Sequence, residues 1–113
     1  MPYINIKTNQ TIDPQVEEVL KRHLGQAIEV IPRKTEEWLM LSFQQELSMW
    51  FQGTDDPCAM VEVSIYGGAP ADAYDQLTAR LTDIVCAFLP IDPQRVYVKY
   101  AECEFWGWNG ANF

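Results

Sequence analysis

No stretch of this chain approaches the roughly 20 consecutive apolar residues that a membrane-spanning helix needs. Nor does the N-terminus carry a basic segment followed by an apolar one, so no secretory signal is expected. Positive charge is scarce: eight Lys and Arg against sixteen Asp and Glu give a formal net charge of −8, with no basic block anywhere. Phosphate backbones and anionic bilayers are both bound through clustered cations, which argues against nucleic acid and against membrane surfaces as partners. Histidine occurs once, at His23, inside a helical pattern of charged residues. Cysteine is limited to the odd, widely spaced set Cys58, Cys86 and Cys103, with no zinc-ligand spacing and no His nearby. These read as reduced structural thiols of a cytoplasmic protein, and no metal is expected.

What the sequence does have in quantity is aromatic surface. Four Trp, five Tyr and five Phe in 113 residues exceed what a small core readily absorbs, so some rings are expected to face a ligand or a second subunit. The length suits one domain, residues 1–113, burying about two-thirds of its unfolded surface. Pro2 directly follows Met1 on a strand-like run, Tyr3 to Thr8. Its small side chain should permit removal of Met1, leaving a secondary amine at the terminus. Burial and nearby cations both lower the pKa of such an amine, which makes it a candidate base near neutral pH. With Met1 retained, the Pro2 nitrogen is an amide and the base is lost.

The periodicity repeats one unit twice, over about 2–50 and 58–105. Tyr3–Thr8 alternates with Ile4 and Ile6 on one face. Thr11-Ile12-Asp13-Pro14 turns and offers Asp13 as an N-cap, and Val16, Leu20, Leu24, Ala27, Ile28 and Ile31 then recur at helical spacing until Pro32. Trp38–Phe43 reads as a strand, and Met49-Trp50-Phe51 as a short second one. After the Gly53–Pro57 turn, Ala59, Val61, Val63 and Ile65 alternate, Tyr74 to Phe88 forms a helical stripe, and Val96–Tyr100 is again a strand. Two β-α-β units imply an α+β two-layer sandwich with both helices on one sheet face. The other face is expected to be covered by self-association.

Several segments, in order, carry a resemblance: Met1–Ile6, Lys34-Thr35-Glu36-Glu37-Trp38, Pro57-Cys58-Ala59, Ser64-Ile65, Asp92–Val98 and Trp106–Phe113. Together they resemble the macrophage migration inhibitory factor branch of the tautomerase superfamily. The resemblance implies a homotrimer whose three sheets form a central barrel, with active sites at the subunit boundaries. It implies Pro2 as catalytic base, Lys34 at the rim holding a substrate carboxylate, and Ile65 offering its backbone N–H. Tyr97 would come from the neighbouring subunit, Trp106 and Trp108 would shape the aromatic wall, and Phe113 would lie near the closing tail. Without the resemblance, Lys34 reads more readily as one more solvated lysine after the Pro32 break, and Tyr97 reads also as a sheet aromatic and Ile65 as a core residue whose backbone completes the ladder. Arg33, with its five-donor fork, competes with Lys34 for the anion.

The chain also departs from that pattern. Cys58-Ala59-Met60-Val61 lacks the second cysteine of a Cys-x-x-Cys pair, so no dithiol chemistry is expected. Lys99 stands where the vertebrate protein has Asn and adds a positive charge on the Tyr97 side. Trp106 replaces a smaller Val and narrows the cavity, and the Gly67-Gly68-Ala69-Pro70 loop differs. The expected function is a cofactor-free keto–enol tautomerase of phenylpyruvate-like, small aromatic 2-keto acids. The competing expectation is a cytokine-like interaction trimer without significant catalysis.

Overall fold

Alternation decides the first strand. In the computed structural model, which describes residues 1–113, β1 (Pro2–Thr8) buries Pro2, Ile4, Ile6 and Thr8 on one side. Asp13 then caps α1 (Pro14–Ala27) by accepting from the Val16 N–H at 2.9 Å, with Pro14 supplying a pre-set φ at the first turn. The helix expected to run on to Ile31 tightens instead into a single 3₁₀ turn, Ile28–Val30, before Pro32. A second 3₁₀ turn, Glu36–Trp38, precedes β2 (Met40–Gln44). The second strand therefore starts two residues later than expected, and Trp38 sits on the turn in front of it.

β3 (Ala59–Tyr66) alternates strictly between buried and half-buried residues. It is followed by α2 (Ala71–Phe88), which buries Ala73, Leu77, Leu81, Ile84 and Val85, and then by β4 (Val96–Cys103). A short hairpin ends the chain, β5 (Gly107–Trp108) against β6 (Ala111–Asn112). Its turn residues Asn109 and Gly110 have φ of 53° and 85°, the left-handed pair that two-residue hairpins require and that Asn-Gly supplies at little cost. Met49-Trp50-Phe51 forms no strand; only Phe51 bridges to Thr54 across a tight turn.

The sheet order is β2-β1-β3-β4, with parallel outer pairs and an antiparallel centre. Each β-α-β unit thus contributes one parallel pair, and the units join back to front through β1 and β3. Both helices pack together on one face over a single apolar cluster built on Ile4, Ile6, Leu20, Leu24, Val61, Val63, Leu77 and Leu81. No helix is long and apolar enough to cross a membrane.

The opposite face holds a connected polar net rather than a plain apolar surface. Asn5, only 7% exposed, donates to Gln44 Oε1 at 2.8 Å and to Glu62 Oε1 at 3.1 Å, and accepts from Ser42 Oγ at 2.7 Å. Ser42 also meets the Tyr3 hydroxyl at 2.5 Å. Glu62 completes the net with ion pairs to Lys7 at 3.0 Å and Lys99 at 3.2 Å. Those contacts, Lys7 first and then Asn5 and Lys99, hold its carboxyl below the usual carboxylate range against the opposing cost of burial.

Candidate active site

The antiparallel register sets Pro2 opposite Ile65, and Tyr3 is paired in parallel with Met40, so the start of β1 lies at one end of the sheet. The Met1 carbonyl accepts from the Tyr66 N–H at 3.0 Å, which extends that pairing one residue beyond Pro2. Lys34, half-buried after the 3₁₀ turn that ends α1, donates its Nζ to the Tyr66 carbonyl at 3.4 Å. The ammonium and the chain-terminal amine share this corner. Burial first, and then the hydrogen bond and charge of Lys34, bring the Met1 amine from its ordinary 8.0 down to about 6.

Around the amine lies an open groove of about 430 Å³, lined by Met1, Pro2, Glu37, Trp38, Leu39, Met40, Trp106, Gly107 and Trp108. The terminal hairpin supplies its far wall. Trp38 meets Trp108 edge to face at 5.1 Å and 85°, Trp108 stacks on Phe113 at 6.3 Å and 12°, and Phe113 reaches Tyr66 at 5.6 Å. The Phe113 N–H donates to the Trp106 carbonyl at 3.0 Å, tying the tail to the start of the hairpin. Exposed rings in mutual contact form a flat apolar slot suited to an aryl group, with one cation at its edge.

Of the residues singled out in the sequence, Pro2, Lys34, Ile65, Trp106, Trp108 and Phe113 gather at this end. Arg33 is adjacent but exposed, with a φ of 68° and no ion pair. Tyr97 and Lys99 lie elsewhere in the same chain. Tyr97, 56% exposed, pairs with Met60 in the register, five residues along β3 from Ile65, or about 17 Å at the rise of a strand. Lys99 faces the polar side of the sheet with Glu62.

Glu37, Trp38, Met40 and Tyr66 line or brace the site without having been assigned a role in it. Trp38 had a legible signal, a bulky ring four residues after Lys34 in a polar segment. Tyr66 had none beyond its place next to Ile65. A depression of about 480 Å³ between α1 and the edge of β2 is larger than the groove, but Glu17, Glu18, Lys21 and Ser42 dominate it and no base or aromatic cluster converges there.

Known proteins share this architecture over its full length. A solved structure of the Leishmania major protein MIF2 is 27% identical, superposes with a TM-score of 0.94, and is matched over 100% of this chain and 97% of its own. The macrophage migration inhibitory factor of Toxoplasma gondii, at 21% identity and a TM-score of 0.91, shares the fold over 98% of this chain and 99% of its own. By sequence, the macrophage migration inhibitory factor of Mus musculus is 30% identical over 118 residues, covering 100% of this chain and 99% of the mouse protein. The family model for macrophage migration inhibitory factor (MIF) matches residues 1–113, the whole span that folds into the two β-α-β units and the aromatic groove. The chain therefore belongs to the macrophage migration inhibitory factor family.

Proposed function

We propose that this chain is a cofactor-free keto–enol tautomerase of phenylpyruvate-like 2-keto acids, acting as a homotrimer with Pro2 as its acid and base. The observation that carries the reading is the state of the terminal amine. In the chain that begins at Met1, burial and Lys34 bring the amine down to about 6 at the edge of an aromatic slot, and both influences act in the same direction on a terminus placed in this corner, favouring its neutral, proton-accepting form. Removal of Met1 transfers that terminus to the Pro2 nitrogen.

In ketonisation the neutral Pro2 amine takes the enol hydroxyl proton and leaves an enolate, whose oxygen becomes the carbonyl as C3 is protonated. The enolate carbon–carbon electron pair then accepts the same proton at C3, which regenerates the amine. No electrons or atoms leave the substrate. Lys34 neutralises the substrate carboxylate, and Trp38, Trp106 and Trp108 flank the aryl ring. Tyr97, with Lys99, belongs to the groove of an adjacent chain, because within one chain it lies at the far end of the sheet. A trimer also covers the polar sheet face around Asn5 and Glu62.

The second reading, a protein-interaction trimer, is favoured by Phe105 and Trp50, which are 75% and 70% exposed and lie outside the groove lining. Intact mass, sedimentation equilibrium and phenylpyruvate ketonisation on one preparation separate the two. The tautomerase reading expects a Pro2 start, a species of three times 13.0 kDa and turnover. Quantitative retention of Met1 in the native organism, or a Pro2-started trimer without turnover, leaves the interaction reading in its place.

A further inference from the structure

Arg95 has no carboxylate partner; the ion pairs of the molecule are Lys7 and Lys99 with Glu62. Its guanidinium is spent on backbone carbonyls instead. Nε donates to Pro57 O at 2.9 Å, Nη1 to Phe51 O at 3.1 Å, and Nη2 to Asp56 O at 3.0 Å and Thr54 O at 3.3 Å. All four acceptors belong to the 51–57 turn, and the same guanidinium lies 5.3 Å from the centre of the Phe51 ring.

The turn needs such a hold. Gln52 and Gly53 have φ of 54° and 80°, and the turn closes through Phe51 N–H to Thr54 O at 2.9 Å and Thr54 N–H to Phe51 O at 3.1 Å. A left-handed non-glycine residue persists where its surroundings over-determine it. Asn9 adds a second tether by donating to Asp55 O and Asp56 O, both at 3.1 Å. The held ring has a use, because Phe51 meets Tyr97 edge to face at 4.6 Å and 83°. Tyr97 is otherwise largely exposed, so this ring is its aromatic support.

We propose that Arg95 is a positioning residue: through the 51–57 turn and the Phe51 ring it fixes Tyr97 in the orientation in which a neighbouring chain receives it. The role rests on the tautomerase reading and on Tyr97 entering an adjacent groove. Arginine suits it because a planar fork serves several carbonyls at fixed angles, whereas a lysine ammonium is a point charge on a flexible stem.

The test is a double-variant cycle on phenylpyruvate ketonisation by the full chain, with kcat and KM measured separately for Tyr97→Ala, Arg95→Lys and the pair. A misplaced positioning group costs on the order of tenfold to a hundredfold, so each single variant should lose that much in kcat/KM. The pair should be no slower than Tyr97→Ala alone, since coupled residues are not additive. Phe51→Leu leaves the four carbonyl bonds and removes the ring; it should couple to Tyr97→Ala in the same way, and decides the matter where Arg95→Lys fails to fold. Fluorine NMR of fluorotyrosine-labelled protein reads the ring itself: in Arg95→Lys the Tyr97 resonance should move while those of Tyr3, Tyr66, Tyr74 and Tyr100 stay. Wild-type turnover in Arg95→Lys beside an impaired Tyr97→Ala, or losses that multiply in the pair, overturns the role of Arg95 and leaves the tautomerase reading standing. Wild-type turnover in Tyr97→Ala overturns the assignment of Tyr97 and the role of Arg95 with it, while Pro2→Gly still reports independently on the base.

Discussion

The two ends of the sheet are built by the same repeated unit and do different work. Where β1 begins, the chain terminus and three tryptophans line an open groove, with Lys34 beside the terminus and Tyr66 and Phe113 packed behind Trp108, and few hydrogen bonds restrain the side chains that face it. Where β4 begins, Arg95 and Asn9 lock a strained turn with six hydrogen bonds to backbone carbonyls, and one ring of that turn braces Tyr97. One end has a groove with room for a ligand beside the chain terminus, and the other holds a side chain fixed beside a smaller hollow of about 270 Å³ that Asn9, Trp50 and Asp55 line and Tyr97 does not. They lie about 17 Å apart along β3, so the proposed trimer, which brings the Tyr97 end of one chain to the groove of the next, has a catalytic reason under the tautomerase reading.

The comparison breaks most visibly at the base. Pro2→Gly keeps an amine but alters its basicity and loosens it, so ketonisation should fall by about a hundredfold or more, mainly in kcat, in a trimer that still sediments normally. Unchanged turnover would remove the β1 end from the mechanism.

At the rim, Lys34→Ala should raise KM about tenfold, as expected for one lost charge-assisted contact of about 1.5 kcal/mol. It should also raise the apparent pKa of the terminal amine, because Lys34 is one of the causes that lower it. Arg33→Ala should do neither; if it abolishes carboxylate binding while Lys34→Ala behaves as wild type, the anion site moves by one residue.

The smallest effect is expected at Lys99, whose charge is already matched by Glu62. Lys99→Ala should change KM by less than about threefold, within the range of an exposed pair. Its main consequence is for stability. The Glu62 carboxyl titrates below its unfolded value, so the stabilisation is present above the ordinary carboxylate range and is lost as pH falls through the lowered value. The Tm difference between wild type and Lys99→Ala should therefore exist at neutral pH and shrink once the pH falls below the ordinary carboxylate range. A difference that grows on acidification would contradict the pairing.

Much of this architecture is written in local patterns. The alternation of Ile4 with Ile6, and of Val61, Val63 and Ile65, dictates strands with one dry face, and Asp13-Pro14 marks the start of α1. Patterns fail where short segments depend on distant partners. Met49-Trp50-Phe51 has strand propensity but pairs only through the single Phe51–Thr54 bridge, so it stays outside the sheet. Lys99 was legible as a cation, yet its counter-charge stands 37 positions earlier and becomes adjacent only through the β3–β4 register. Arg95 was invisible for the same reason, since its acceptors are backbone carbonyls that carry no residue signature. The groove was half legible: Pro2, Lys34 and the Trp106–Phe113 segment stood out by type, whereas Glu37 and Met40 enter it through the 3₁₀ turn ahead of β2.

The central claim is that the nitrogen at the start of β1 is a base tuned to neutral pH by burial and Lys34. The pH dependence of kcat/KM for phenylpyruvate, measured on protein whose mass establishes a Pro2 start, tests it most directly. The rate should rise as the amine loses its proton, with a limb below the ordinary chain-terminal value of 8.0, because burial and Lys34 lower a terminus in this corner, and that limb should move upward in Lys34→Ala. A limb at the ordinary value of 8.0 for a chain-terminal amine, or one unmoved by Lys34→Ala, would contradict the account.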